Sequence, residues 1–257
     1  MDNHIVIEKA KTMRKIAKAA LKGHWLKVAL CFAVYYLLVS FVPSLLDDII
    51  ELSKEWSYEI GGVPVSVTIS SFKSVYEFLL SGVFSYGITA FFVTFLRTRE
   101  TKCKTIFSGF EMFFKNFWLM FLIGLKTFLW ALLFVIPGFI ATIRYSQSYF
   151  VLYDHPDYSA MECINESKRL MTGNKGKYFL FLLSYIGWLF LAAIPAGIYE
   201  SFIEGGIISQ PIDLAFDFIS LILIIPSFFV ESYVFAGETV FYDLLTEKLV
   251  PTENENN

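Results

Sequence analysis

The fold is decided by residues 117–171, which read FWLMFLIGLKTFLWALLFVIPGFIATIRYSQSYFVLYDHPDYSAMECINESKRLM. An apolar run of about 20 residues, interrupted only by Lys126, leads to Pro137 and Gly138. Because an α-helix rises about 1.5 Å per residue, a run of this length spans the apolar core of a bilayer. A second apolar run follows and ends before Asp154. The stretch therefore predicts a membrane hairpin that turns at Pro137 and Gly138.

Charge supports the hairpin. Basic residues cluster in some connections and acidic residues in others, and short basic loops tend to stay in the cytoplasm. The predicted cytoplasmic segments are the N-terminus, 97–116 and 154–177, and the predicted outer segments are 47–74 and 200–215. Two cytoplasmic segments flank 117–153, so an even number of crossings must lie between them. The alternative is one long kinked helix, which puts 154–177 outside despite its basic residues.

Composition extends this interpretation to the whole chain. Of the 257 residues, 56% are apolar and 28 are phenylalanine, and the mean hydropathy is +0.56. A soluble domain of this length does not need several apolar runs of membrane length. We therefore predict an all-α fold, a polytopic membrane helix bundle of about six transmembrane helices with cytoplasmic amphipathic helices.

The predicted elements follow one another along a single membrane domain, residues 1–250. The crossings are 25–46, 75–96, two within 117–153, 178–199, and 216–242 with a kink at Pro226; amphipathic helices cover 5–23 and 159–172, and 251–257 is a disordered tail. The first amphipathic helix suits an anionic leaflet, or is simply a solvated helix that sets topology. Alternating Val63, Val65 and Val67 predict a short hairpin or strand outside.

A finer prediction divides the domain into three units, each an interfacial helix followed by a membrane hairpin. The units are 5–96, 105–153 and 159–245. Their second helices end alike, in Val93-Thr94-Phe95, Val151-Leu152-Tyr153 and Val240-Phe241-Tyr242. Chance matches are easy in apolar sequence, so this repeat depends on several such similarities together.

Two local patterns indicate how the helices are closed and packed. Ser159 followed by Glu162 is a capping box, and Gly173 can end that helix with a positive φ. The helix between them puts Met161 and Met171 on one apolar stripe, predicted to face the inner leaflet. Small residues in the second crossing, Gly82, Ser85 and Gly87, allow a neighbouring helix to approach closely.

Three charged residues inside predicted crossings are candidates for function: Lys126, Arg144 and Glu231. They lie at similar depth from the cytoplasmic ends, so we predict that they meet and that Arg144 pairs with Glu231. A buried ion pair that fixes helix register, or a lysine that snorkels to the interface, is the structural explanation. A substrate or ion pathway is the functional one.

Other chemistry lacks support in the sequence. Asp154, Asp157 and Glu162 resemble a carboxylate site, but a turn and a helix cap explain them better. Three scattered cysteines and three scattered histidines predict neither a disulfide framework nor a metal site. The basic clusters follow topology, so nucleic acid is not an expected partner. We predict no catalytic residues, no metal and no cofactor.

The central part of the chain resembles a bacterial family of integral membrane proteins, the domain of unknown function 975. The resemblance is densest between 105 and 190. The matching residues are Phe107-Ser108-Gly109-Phe110, Leu132-Leu133, Ile136-Pro137-Gly138, Tyr145-Ser146, Asp154, Pro156, Ser167, Met171, Gly173-Asn174-Lys175, Lys177, Ser184-Tyr185-Ile186-Gly187-Trp188 and Val240-Phe241-Tyr242-Asp243. It implies a multi-pass protein of the bacterial inner membrane and supplies no reaction. The connections 47–74 and 200–215 depart from it.

Two functions of different class follow from the sequence. The first is a non-enzymatic membrane protein with both termini in the cytoplasm, whose partners are membrane lipids, other membrane proteins or a second copy in a homo-oligomer. The alternative is a transporter or channel for a small solute that uses Lys126, Arg144 and Glu231. A membrane enzyme ranks third.

Overall fold

A computed structural model describes residues 4–50, 53–60, 63–205, 219 and 221–249. The elements are α1 (Ala10–Leu21), α2 (Trp25–Tyr36), a π-helical turn (Leu37–Phe41), α3 (Val42–Ile50), β1 (Ser53–Ile60), β2 (Val63–Ser70), α4 (Ser71–Thr98), a 3-10 helix (Cys103–Met112), α5 (Phe113–Leu133), α6 (Val135–Tyr145), α7 (Ser148–Asp154), α8 (Ala160–Leu170), α9 (Lys175–Leu183), α10 (Ile186–Glu204) and α11 (Ile225–Leu245). The predicted tail 251–257 and much of the predicted connection 200–215 lie outside the described residues.

The protein is mainly helical, and within the described residues four helical segments are long and apolar enough to cross a membrane. They are Trp25–Leu46, Phe72–Thr98, Cys103–Leu133 and Lys175–Ile203. Each contains one of the predicted crossings or its greater part. The two remaining predicted crossings are not among them, because α6 has only 11 residues and α11 carries Glu231, Glu238 and Asp243.

The central stretch folds back on itself. The side chain of Lys115, near the start of α5, donates to the carbonyl oxygen of Pro156 at 2.6 Å. Since α5 has 21 residues and is therefore about 30 Å long, the chain must return over a similar distance to reach Pro156. The reversal lies at Phe134, whose backbone is extended. Pro137 stands in the first turn of α6, where a missing amide hydrogen bond costs nothing.

Among the described residues, the exception to the helical architecture is a two-stranded antiparallel hairpin. Strands β1 and β2 pair in a register that runs from Ser53 opposite Ser70 to Ile60 opposite Val63. The β-branched valines of β2 suit this extended backbone. The hairpin lies between the two legs of the first helical pair, as the sequence predicted.

Helix α4 is the packing centre, and glycines let the 3-10 helix approach its backbone. A Cβ atom on Gly87 would collide with the carbonyl group of Ile106, and one on Gly109 would collide with that of Val83. The segment Cys103–Met112 therefore lies directly against α4, and α5 starts earlier than predicted, at Phe113. The close approach that the small residues of α4 predicted is confirmed.

Helices α5 and α10 are the opposite of α4 in their surroundings. The apolar stretch of Phe72–Thr98 is 72% buried within the protein, against 11% for Cys103–Leu133 and 17% for Lys175–Ile203. Large side chains stand exposed on these two segments, among them Phe128, Leu133 and Phe190. Such wide apolar faces are expected where lipid or another membrane helix provides the contact.

Two predicted crossings contain breaks that the sequence did not indicate. The return leg of the central hairpin is split between α6 and α7 at Ser146 and Gln147, and the fifth crossing is split between α9 and α10 at Ser184 and Tyr185. Helix is present at residues 221–223, is interrupted by a turn at Ile224 and resumes at Ile225, so the break lies two residues before Pro226, where the sequence predicted a kink; this proline stands in the first turn of α11. Proline is well tolerated there because the amide it lacks would have no partner in the helix.

Helices α1 and α8 bury their apolar faces against protein. In α8 the buried residues are Ala160, Cys163, Ile164, Ser167 and Leu170, and the helix packs on α5, α6 and α7. Met171 is fully buried, but Met161 is 40% exposed. The prediction that Met171 faces the inner leaflet is therefore wrong, whereas the position of the exposed Met161 at the leaflet stays a prediction. The capping box of Ser159 and Glu162 and the positive φ of Gly173 are confirmed.

The structure contains a disulfide, whereas the scattered cysteines of the sequence predicted none. Cys31 in α2 and Cys103 in the 3-10 helix form a disulfide, with Cα atoms 5.1 Å apart, within the range such bonds need. They are 72 residues apart in sequence, so their meeting depends on the packing of α2 beside the 3-10 helix. Cys163 is free and buried.

Candidate functional site

The segments predicted as cytoplasmic meet at one end of the protein, which we call the polar end (residues 4–9, 97–102, 154–159, 171–177 and 243–249). His4 lies 3.0 Å from Glu247, and the amide of Val6 donates to the side-chain oxygen of Asn174 at 2.9 Å. Arg97, Asp154 and Asp243 also meet there. The described termini of the chain therefore lie on the same side of the fold.

Arg97 is the centre of this end. Its guanidinium donates to both carboxylate oxygens of Asp154, at 2.6 and 3.2 Å. It also donates twice to one oxygen of Asp243, at 2.6 and 3.2 Å. The hydroxyl of Tyr242 donates to Asp154 at 2.7 Å, and the ammonium of Lys248 lies 2.5 Å from the same carboxylate. We call these five residues the ionic cluster.

Burial and charge act in opposite directions on the two carboxyl groups. Burial alone raises the pKa of Asp154, but the hydrogen bonds from Arg97, Lys248 and Tyr242 outweigh it and bring the pKa down to about 2. At Asp243 burial is the larger effect and raises the pKa in spite of the bonds from Arg97. Asp154 is therefore the firmly ionised partner of the arginine at neutral pH.

The ionic cluster joins the ends of three helices. Arg97 lies in the last turn of α4, Asp154 ends α7, and Asp243 lies in the last turn of α11. These are the helix ends that the proposed repeat aligns. Asp154 and Asp243 each follow an aligned triplet directly, whereas Arg97 stands one position further on. The division into three units stays a prediction, and this convergence favours it.

Sequence reasoning missed the cluster. It assigned Arg97 to topology and Asp154 to a turn. Arg97 is separated from Asp154 by 57 positions and from Asp243 by 146 positions in the sequence, and no local pattern links residues that far apart. A usable signal was present in the aligned helix ends, because two of the three carry an aspartate at the same position.

The predicted intramembrane charges do not meet one another. Among the side chains that the structure describes, no ion pair involves Lys126, Arg144 or Glu231. Glu231 instead lies close enough to Tyr35 and Tyr36 for electrostatic interaction. The prediction that Arg144 pairs with Glu231 is wrong, because equal depth does not place two side chains on facing sides of their helices.

A second group of polar contacts holds the N-terminal segment. The side-chain amide of Asn174 donates to the carbonyl oxygens of His4 and Leu170, both at 2.9 Å. Lys177 donates to the carbonyl oxygen of Ile7 at 2.8 Å. Asn174 is fully buried, so its side chain replaces the water that these backbone groups lose. Residues 4–7 are thus attached to the start of α9.

The remaining carboxylates of the turn have separate roles. Glu162 accepts from the amide of Ser159 at 2.7 Å as part of the helix cap. These hydrogen bonds are the main cause of the lowered pKa of Glu162. The described contacts do not bring Asp157 into the ionic cluster. The structure therefore places Asp154 apart from the two carboxylates with which the sequence grouped it.

The fold and this site define a mainly helical protein, and four of its described helical segments are apolar and long enough to be compatible with a membrane protein. Its apolar helices extend from a polar end that hydrogen bonds and ion pairs hold together. The chain belongs to the family described as "Protein of unknown function (DUF975)", whose model matches residues 7–137 and 132–249. Comparison with curated proteins finds no match, and comparison with solved structures finds none either.

Proposed function

We propose that this chain is a non-enzymatic, multi-pass protein of the bacterial inner membrane that acts through contacts with lipids or with other membrane proteins. It crosses the membrane six times, with the polar end and both termini in the cytoplasm. The observation that carries the proposal is the contrast between α4, which is 72% buried over its apolar stretch, and the segments containing α5 and α10, which are 11% and 17% buried.

The contacts of the ionic cluster support a structural role for its charges. Asp154 accepts hydrogen bonds from Arg97 and Tyr242 and is paired with Lys248. A carboxylate engaged in this way is a poor nucleophile or base, because its lone pairs are already in use. The cluster is therefore suited to holding three helix ends together while the apolar faces of α5 and α10 meet their partners.

Charge distribution and the meeting of the predicted cytoplasmic segments support six crossings. Each basic segment begins or ends at the polar end, so each membrane excursion must leave and return. The central excursion returns in this way, because the side-chain nitrogen of Lys115 before it lies 2.6 Å from the carbonyl oxygen of Pro156 after it. The leg α6–α7 packs against α4 and α8, and α11 packs against α4, so protein contacts support both of these legs.

The environment of α5 and α10 can be tested with spin labels. Leu129 and Phe190, both exposed, are each changed to cysteine and labelled in protein reconstituted into bilayers, with the native cysteines replaced. The proposal expects both labels to be more accessible to oxygen, which partitions into lipid, than to a water-soluble nickel chelate. A label at the buried Phe241 is the control and should be shielded from both. Preferential access of the nickel chelate at Leu129 and Phe190 would mean that these faces line water.

A further inference from the structure

The elbow between α1 and α2 carries uncompensated positive charge. Lys18, Lys22 and Lys27 are all exposed, and among the described side chains no carboxylate lies within ion-pair distance of them. The sequence from Lys9 to Leu46 contains neither aspartate nor glutamate. Charges in such a group repel one another, so an anion bound there is favoured.

The opposite face of α1 is already occupied. Met13, Ala17, Ala20 and Leu21 are buried, and the helix packs on α11. Arg14 is also engaged, since it donates to the carbonyl oxygen of Ser184 at 2.9 Å. The lysines of α1 are thus directed away from the protein by a helix whose orientation is fixed.

The elbow lies at the start of an apolar segment. Trp25 is the first residue of the candidate span Trp25–Leu46. Lys22 precedes it by three residues across the turn at Gly23, and Lys27 follows it by two residues in α2, which is about 3 Å along the helix. Tryptophan at such a boundary is typical of the head-group layer of a bilayer. Lysines at this level are therefore positioned to contact lipid phosphates.

An apolar stripe continues from the lysines. Leu26, Leu30 and Val34 are 64%, 57% and 37% exposed, and their spacing of four residues puts them on one face of α2. Gly23 turns the chain with a φ of +83°, and the space beside its Cα is open. The elbow thus offers a basic surface for a head group next to an apolar surface for an acyl chain.

We propose that the elbow binds an anionic phospholipid. The head-group phosphate contacts Lys18, Lys22 and Lys27, and one acyl chain lies along Leu26, Leu30 and Val34. The partner is a lipid rather than a soluble anion, because the apolar stripe continues directly from the charges. This inference rests on the proposed function, in which the protein acts through contacts that include lipids, and it names the class of lipid.

The test uses the full-length protein purified in a neutral detergent. Bound phosphatidylglycerol is counted by native mass spectrometry and compared with phosphatidylcholine of the same acyl chains. Wild type is expected to bind the anionic lipid at least about tenfold more tightly, since a basic residue near an anionic surface contributes several-fold in affinity. The variant K18Q/K22Q/K27Q should lose this preference, and K18R/K22R/K27R should keep it.

A matched control removes three positive charges elsewhere. The variant K73Q/K168Q/K175Q has the same change in net charge and should retain the preference. Equal loss in both triple variants would overturn the inference, as would equal affinity of wild type for the two lipids. So would full competition by inorganic phosphate at the concentration of the lipid. If the triple variant does not fold, K22Q alone should still lower the preference.

The two proposals fail on different measurements. Absence of a preference for phosphatidylglycerol in wild type refutes the lipid site and leaves the apolar faces unaffected. Water access at Leu129 and Phe190 refutes the proposed function, whatever lipid is bound at the elbow.

Discussion

Replacing Arg97 by glutamine should destabilise the protein far more than the loss of an ordinary surface arginine. The change removes four hydrogen bonds to Asp154 and Asp243. It leaves two carboxylates whose side chains are 6% and 3% exposed. Breaking a buried ion pair costs about 3–5 kcal/mol. Because Arg97 is itself 28% exposed, the lower limit, about 3 kcal/mol, is the expected loss of stability.

The loss can be measured as a melting temperature. For chains of this size about 1 kcal/mol corresponds to roughly 2–4 °C, so R97Q should melt about 6–12 °C below wild type. The assay heats detergent-solubilised fluorescent fusions and measures the folded fraction by size-exclusion chromatography. The double variant R97Q/D243N should recover part of the loss, because it removes one of the two stranded charges.

Arg169 provides the matched control. It pairs with Glu166 at 2.6 Å, the same distance at which Arg97 meets Asp154, but these side chains are 42% and 28% exposed. Such surface pairs contribute about 0.3–0.5 kcal/mol, and R169Q should melt within about 2 °C of wild type. If R97Q and R169Q have the same melting temperature, the ionic cluster does not hold the helix ends and the reasoning from burial is wrong.

Other predictions concern packing, acid stability and thiol reactivity. G87A should destabilise the fold by more than about 1 kcal/mol, because its added Cβ collides with the backbone of Ile106. The Cβ of G124A meets nothing within 4 Å, so this variant should be neutral or stabilising by about 1 kcal/mol. Thermal melting of the two variants checks this. Folding lowers the pKa of Asp154 to about 2. The ionised carboxylate therefore stabilises the folded state fully above about pH 4, and this stabilisation is lost as the pH falls through about 2. Wild type should thus lose stability more steeply than D154N over that range. Burial raises the pKa of the Cys163 thiol to about 11, and Cys163 should therefore react with maleimide at pH 8 only after unfolding, whereas M161C should react in the folded state.

The sequence predicted features that depend on neighbouring residues. Hydropathy located the four long apolar segments, because a span is a property of about 20 consecutive residues. The cap at Ser159 and the left-handed glycine at Gly173 were predicted because both are local backbone requirements. The return of the central stretch followed from charge on either side of it. Its turn lies at Phe134, three residues before the predicted Pro137, since proline tolerates the start of a helix as well as its end.

Features that depend on the packing of distant elements could not be predicted in this way. The disulfide of Cys31 and Cys103 and the contacts of Arg97 require the positions of helices relative to one another. The pairing of Arg144 with Glu231 was an inference from depth alone, and depth leaves the rotation of each helix undefined. The break at Ser184 has no proline or glycine at that point of the chain. The freed carbonyl there accepts from Arg14, a partner 170 residues away.

The attachment of residues 4–7 by Asn174 and Lys177 has a consequence for biosynthesis. Residues 4–7 find these partners only after about 170 more residues have been made. At about 5–20 residues per second, this delay is roughly 10–30 s. During that time the lysine-rich helix α1 is already synthesised while α11, on which it packs, does not yet exist. Residues 4–7 therefore reach their final position only long after their own synthesis, once α9 and α11 have been made.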